Sequence, residues 1–114
     1  MPFVNVHVGK NLTKPQKDEL AGMIAENMPI IPGKNKDNTM IEISGGCDMY
    51  MFGGSSEIIF VDVRVYKAVS DEIKNAFVAK LSEGFERILG ISAERQYYNI
   101  IELPGWGLRS QFLS

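Results

Sequence analysis

A chain of 114 residues, 45% hydrophobic and 23% charged, has the size and balance of one globular domain around a single core. Its formal net charge of −2 leaves no basic excess for neutralising phosphates, which argues against nucleic acid as a main partner. No apolar stretch approaches the roughly 20 residues of a membrane span, and the first residues alternate in character instead of forming the apolar block of a signal peptide. A cytoplasmic setting is therefore expected. Cys47 is alone, so neither an internal disulfide nor a thiol metal site is expected. His7 is the single histidine, and any Ser-His-Asp or Cys-His catalysis would have to centre on it.

The chain starts Met1-Pro2 and runs at once into Phe3-Val4-Asn5-Val6-His7-Val8, whose period-two alternation and valines predict a strand. A small residue after the initiator Met permits its removal, which would leave Pro2 as a terminal secondary amine. A helix is predicted from near Thr13, where Gln16 three residues on completes a capping box. Leu20, Ile24 and Met28 recur on one face of it with Met23 beside them, and Pro29 and Pro32-Gly33 end it. Met40-Ile41-Glu42-Ile43 reads as the second strand.

Gly45-Gly46 and Phe52-Gly53-Gly54-Ser55-Ser56-Glu57 match neither the P-loop nor the dinucleotide-binding pattern and read as turns. Cys47, Met49 and Met51 are expected to pack. Val61-Asp62-Val63-Arg64-Val65 is a third strand. Ser70-Asp71-Glu72 opens a second helix, with acids against its positive end. Ile73, Phe77, Leu81, Phe85 and Ile88 form that helix's buried stripe, Gly90 caps it, and Tyr97–Ile101 follows as a fourth strand.

The two halves repeat without gaps. Val4 matches Val61, an offset of 57 positions (61 − 4), and the same offset pairs Phe3 with Phe60, Lys10 with Lys67, Lys17 with Lys74, Glu26 with Glu83, Gly33 with Gly90 and Ile43 with Ile100. The expected architecture is an α/β (α+β) single domain over 1–114, built of two β-α-β units at about 2–45 and 58–103. It would form a four-stranded sheet with both helices on one face. The other face, expected to be rich in valine and isoleucine, would be left uncovered, and such patches usually mark interfaces.

Several stretches carry a family resemblance: the Met1-Pro2 start, Gly33-Lys34, the FGGSSE segment, Ile91-Ser92-Ala93-Glu94-Arg95-Gln96-Tyr97-Tyr98-Asn99, and the tail from Gly105-Trp106-Gly107 to Ser110-Gln111-Phe112. Together they resemble the tautomerase superfamily and specifically its macrophage migration inhibitory factor branch. The resemblance spans almost the whole chain, although the first twenty residues look as much like the shorter oxalocrotonate-type tautomerases.

The resemblance implies a homotrimer with active sites at subunit boundaries. It also implies cofactor-free keto–enol tautomerisation of aromatic α-keto acids such as phenylpyruvate, or of dopachrome-like compounds. By motif, Pro2 matches the general base, Lys34 the substrate-binding lysine, and Tyr97 and Asn99 the tyrosine and asparagine supplied by a neighbouring subunit. Lys67 falls where this branch usually has an isoleucine whose backbone contacts substrate. No metal is implied.

The chemistry sets its own requirements. A general base should titrate near the working pH. Terminal amines sit at about 7.7–8.0, and a secondary amine is more basic, so burial and nearby cations must acidify Pro2. Lys34 and Lys67 could supply that charge and dock a substrate carboxylate. Tyr97 can donate a hydrogen bond and stack on a ring, and Asn99 can donate to an oxygen.

Three departures bear on these roles. The branch's Cys-x-x-Cys is replaced by Ile59-Phe60-Val61-Asp62, so neither thiol-redox activity nor receptor signalling carries over. One residue is inserted between Lys34 and FGGSSE, so Lys36 is an alternative for the lysine role. Lys67 could shift preference toward more acidic substrates. Two other readings stand beside the tautomerase: a non-catalytic trimeric binding or signalling protein, and a proline-dependent dehalogenase or hydratase of small unsaturated acids. The last would need a water-activating acid, for which Glu42 and Glu102 are available.

Overall fold

Alternation in the first strand sets the whole layout. In the computed structural model, which describes residues 2–114, Phe3–Val8 forms β1 and its even-numbered valines are fully buried. Met1, whose removal would free the Pro2 amine, lies outside the described residues. α1 follows at Lys14–Asn27, β2 at Met40–Ser44, β3 at Ile59–Tyr66, α2 at Asp71–Leu89 and β4 at Gln96–Leu103. The sheet order is β2-β1-β3-β4. β1 and β2 run parallel from Phe3↔Met40, β3 and β4 run parallel from Ile59↔Gln96, and β1 meets β3 antiparallel from Phe3↔Arg64 to Val8↔Ile59. Each repeat thus supplies one parallel pair, and the halves join along β1 and β3.

The helix ends follow local chemistry. Thr13 Oγ1 accepts from the Gln16 amide at 3.2 Å, and Gln16 Oε1 accepts from the Thr13 amide at 2.9 Å, the expected capping box. Ser70 Oγ accepts from the Ile73 amide at 3.2 Å to start α2. Gly90 ends α2 at φ 71°, a left-handed conformation that favours a residue without Cβ. Three-residue 3₁₀ turns at Met28–Ile30 and Lys36–Asn38 lead from α1 to β2.

Both helices cover one side of the sheet. Val4, Val6, Val8, Val61, Val63 and Val65 meet Leu20, Ile24 and Met28 of the first unit and Phe77, Leu81 and Phe85 of α2. Burying side chains of this size stabilises by about 1.5–3 kcal/mol each, taken as an upper figure. Ile73 and Ile88 flank the core and are only partly buried. The helices approach closely at Gly84, where any Cβ would collide with the Met23 side chain.

The other face differs from the expected apolar sheet. Because side chains alternate along a strand, all the core valines lie on the helix side. The registers place three mixed rows on the open side: Ser44-His7-Phe60-Tyr97, Glu42-Asn5-Asp62-Asn99 and Met40-Phe3-Arg64-Ile101. The middle row is wholly polar. In it, Asn5 Oδ1 and Asp62 Oδ1 are buried without a hydrogen-bond partner, while the other Asp62 oxygen lies 3.8 Å from Arg64.

Two short strands, unforeseen in the sequence, close the chain: β5 at Trp106–Leu108 and β6 at Gln111–Leu113. Leu108 pairs with Gln111, so Arg109-Ser110 is a two-residue hairpin loop, with φ values of 51° and 65°. Two positive φ values are what a type I′ turn requires. No helix is long and apolar enough to cross a membrane among the described residues.

Candidate functional site

Pro2 is buried at the head of β1, one of the two inner strands, and its carbonyl accepts from the Met40 amide at 3.0 Å. A proline here sacrifices no ladder donor. Pro2 opens on a cavity of about 370 Å³ lined also by Asp37, Asn38, Met40, Trp106 and Arg109. The loop before β2 supplies Asp37 and Asn38, and the terminal hairpin supplies Trp106 and Arg109.

Lys34 and Lys67 come together in a second cavity of about 380 Å³ at the same end of the sheet, with Ile31, Tyr66 and Val69 in its walls. Continuing the β1–β3 register sets Pro2 beside Val65, two residues before Lys67. Lys67 has φ 74°, a conformation uncommon for a residue with a long side chain. Its amide donates to the Leu103 carbonyl at 2.9 Å, and its Nζ stands 5.1 Å from the Tyr66 ring centroid. Lys34 is half-buried, held by its amide's bond to the Ile31 carbonyl at 3.0 Å. Lys36 is exposed in the following turn and lines neither cavity. Among the described residues, Lys34, Lys67 and Arg109 form no ion pair.

Tyr97 and Asn99 lie elsewhere. Both are exposed on the open face, whereas Pro2 shares the helix-side parity of Val4. Tyr97 sits in the row of His7, five residues along the strand direction from Pro2. At the usual rise that is about 17 Å. Within one chain these residues do not meet Pro2.

Tyr97 instead lines a cavity of about 170 Å³ with Met49, Met51, Phe60 and Arg95. Arg95 Nη2 donates to the Met51 carbonyl at 2.8 Å and also to the Ser55 carbonyl, tying the FGGSSE segment to the start of β4. Cys47 packs as expected, half-buried, with Sγ 3.4 Å from the Ser44 carbonyl.

The two acids considered for water activation are not at Pro2. Glu42 is exposed on the open face. Glu102 accepts from the Val69 amide and lies 3.3 Å from Lys74 Nζ. That backbone hydrogen bond, helped by Lys74, holds its carboxyl below the usual range. Asp37 is the acid in the Pro2 cavity. Sequence reasoning missed Asp37, Trp106, Arg109 and Arg95. Trp106, between two glycines, and Arg95 carry a signal only as members of stretches in the family resemblance.

Lys10, the repeat partner of Lys67, is tied down. Its Nζ donates to the Leu89 carbonyl at 3.3 Å and lies 3.6 Å from Glu57. Lys10 is half-buried.

No protein-family model matches the chain, and a search of curated proteins finds no match. Solved structures do match. Leishmania major MIF2 superposes with a TM-score of 0.89 at 18% identity, over 99% of this chain and 97% of that one. A fused 4-OT described as an asymmetric trimer gives 0.83 at 16% identity, over 96% and 94%. Malonate semialdehyde decarboxylase gives 0.73 at 20% identity, over 89% and 84%. The fold is therefore that of the tautomerase superfamily. Its MIF-like members are among the neighbours aligned along nearly the whole of both chains.

Proposed function

We propose that the chain is a cofactor-independent keto–enol tautomerase of the phenylpyruvate or dopachrome type, with Pro2 as general base and acid once Met1 is removed. One observation carries this reading: Pro2 is buried at the head of an inner strand yet opens on a cavity, with cations that form no ion pair among the described residues at the same sheet end. The Pro2 nitrogen takes a proton from the α-carbon of the keto acid as the C–H electrons form the enolate double bond. Protonated Pro2 then gives that proton to the enolate oxygen, yielding the enol and the free amine; the reverse sequence returns the proton to carbon. Lys34 and Lys67 dock the carboxylate and oppose the negative charge that develops on oxygen. The same cations disfavour protonated Pro2 and so bring the amine toward the working pH.

The reading includes a homotrimer. Tyr97 and Asn99, on the open face far from Pro2, act on the site of a neighbouring copy, where Tyr97 donates to or stacks on substrate and Asn99 donates to an oxygen. The trimeric description of the fused 4-OT supports this arrangement.

Asp37 supports a second reading, hydration or hydrolytic dehalogenation of a small unsaturated acid. The reaction needs a carboxylate near the proline to activate water, and Asp37 lines that cavity. The decarboxylase neighbour is described with decarboxylase and hydratase activities and with a proline-to-alanine mutant.

The test measures ketonisation of enol-phenylpyruvate by protein shown by intact mass to lack Met1, beside a Pro2→Ala variant. Positioned proton transfer contributes about 10²–10⁴-fold, and a rate loss in that range is expected. Equal rates would discard Pro2 as the base.

A further inference from the structure

The Pro2 cavity has a cationic wall that the mechanism above does not use. Arg109 lines it from the hairpin tip, and Trp106 of the same hairpin lines it too. Its guanidinium forms no ion pair among the described residues, not even with Asp37 in the same lining. The backbone makes this choice of residue informative. Both loop positions have positive φ, where glycine, asparagine or aspartate is the relaxed choice, yet the chain places arginine and serine there. A planar guanidinium with five donors can take both oxygens of a carboxylate at once, which an ammonium cannot do.

We propose that Arg109 is a specificity-determining residue that makes the Pro2 cavity select dicarboxylic substrates. The proposal rests on the reading of that cavity as the active site. Two cationic stations flank one sheet end: Lys34 with Lys67 in one cavity, and Arg109 with Pro2 in the other. A keto acid with one carboxylate engages one station. A keto or enol acid with a second carboxylate engages both, with its enolisable carbon held between them at Pro2. The Trp106 ring gives the chain between the two carboxylates an apolar wall. Phenylpyruvate, which ends in an uncharged ring, leaves Arg109 without a partner.

The test is calorimetric titration of the full chain lacking Met1 with maleate, a dicarboxylate, and with benzoate, a monocarboxylate. Arg109→Asn is the main variant, because asparagine tolerates the left-handed turn while removing the charge. Arg109→Lys, which keeps the charge without the fork, is the second if the first does not fold. Losing a charge-assisted pair weakens maleate about 10–100-fold, while benzoate stays within about threefold. The proposal is overturned if both ligands weaken equally, if neither changes, or if the unsubstituted chain binds maleate no tighter than benzoate. Because binding needs no turnover, the outcome is separate from the Pro2 test. Unchanged catalysis in Pro2→Ala alongside Arg109-dependent maleate selectivity would remove the tautomerase and leave the dicarboxylate site.

Discussion

Mixing two inactive variants decides whether the site is shared between copies. Pro2→Ala removes the proposed base, and a Tyr97→Ala/Asn99→Ala double variant removes the groups on the open face. The strand registers separate Tyr97 from Pro2 by five residues, about 17 Å along the sheet. No small keto acid touches both in one chain. In the proposed trimer each site would instead combine Pro2 of one copy with Tyr97 and Asn99 of the next. Co-refolding the variants at equal ratio then gives sites with both partners intact in about one case in four, since each member must independently be of the right kind. The mixture should show about a quarter of the unsubstituted activity in enol-phenylpyruvate ketonisation, against parents reduced by about 10²-fold or more. Tyr97 is 62% exposed and Asn99 is exposed, so truncating them leaves the single-chain core untouched. A mixture no more active than the average of its parents, with mixed trimers shown by native mass spectrometry, would refute the shared site.

Lys67→Gly separates conformation from charge. Relief of the left-handed residue is worth about 1–2 kcal/mol, and glycine's unfolded-state entropy takes back about 0.5–1 kcal/mol. The urea midpoint should therefore hold or rise while KM for the keto acid increases; a large fall in the midpoint would contradict this. Leu81→Ala, at a fully buried position, should cost about 2–5 kcal/mol in chemical denaturation at fixed protein concentration; a cost under about 1 kcal/mol would show that the α2 stripe is not core. Glu102 makes acid stability sensitive to one carboxylate. Its folded pKa lies below the usual value of 4.5, so its contribution is present above that value and fades as pH falls through the folded pKa. Glu102→Gln should be less stable than the parent at pH 7 and converge with it in acid; a gap that does not vary with pH would rule the linkage out.

Legibility in the sequence tracked how local each cause is. The Thr13–Gln16 box, the Ser70 cap and the Gly90 terminus are set by residues within a turn of each other, and all three were readable. The halves were readable too, because the repeat keeps its spacing. The open face departs from the apolar expectation because alternation sends the valines to the helix side and leaves Asn5, Asp62 and Asn99 on the other. The hairpin was missed because Arg109-Ser110 lacks the Asn-Gly or Gly-rich signature of a two-residue loop. Asp37 and Arg109 are 72 positions apart (109 − 37), and only the return of the chain after β4 brings both to Pro2. The sequence singled out Lys34, and the fold places it, not Lys36, beside Lys67.

The antiparallel junction of β1 and β3 gives the molecule two related strand exits, one at each end of the sheet. Lys10 and Lys67 occupy equivalent stations after those exits. At the first, the ammonium is spent on neutralising the carboxyl-terminal end of α2 through Leu89 and on Glu57. At the second, the ammonium has no acidic partner among the described residues and lines a cavity with Lys34. The two repeats thus carry look-alike stations, of which the first is closed by a helix end. On the proposed function, that asymmetry would confine proton transfer to a single pole of an otherwise near-symmetric fold.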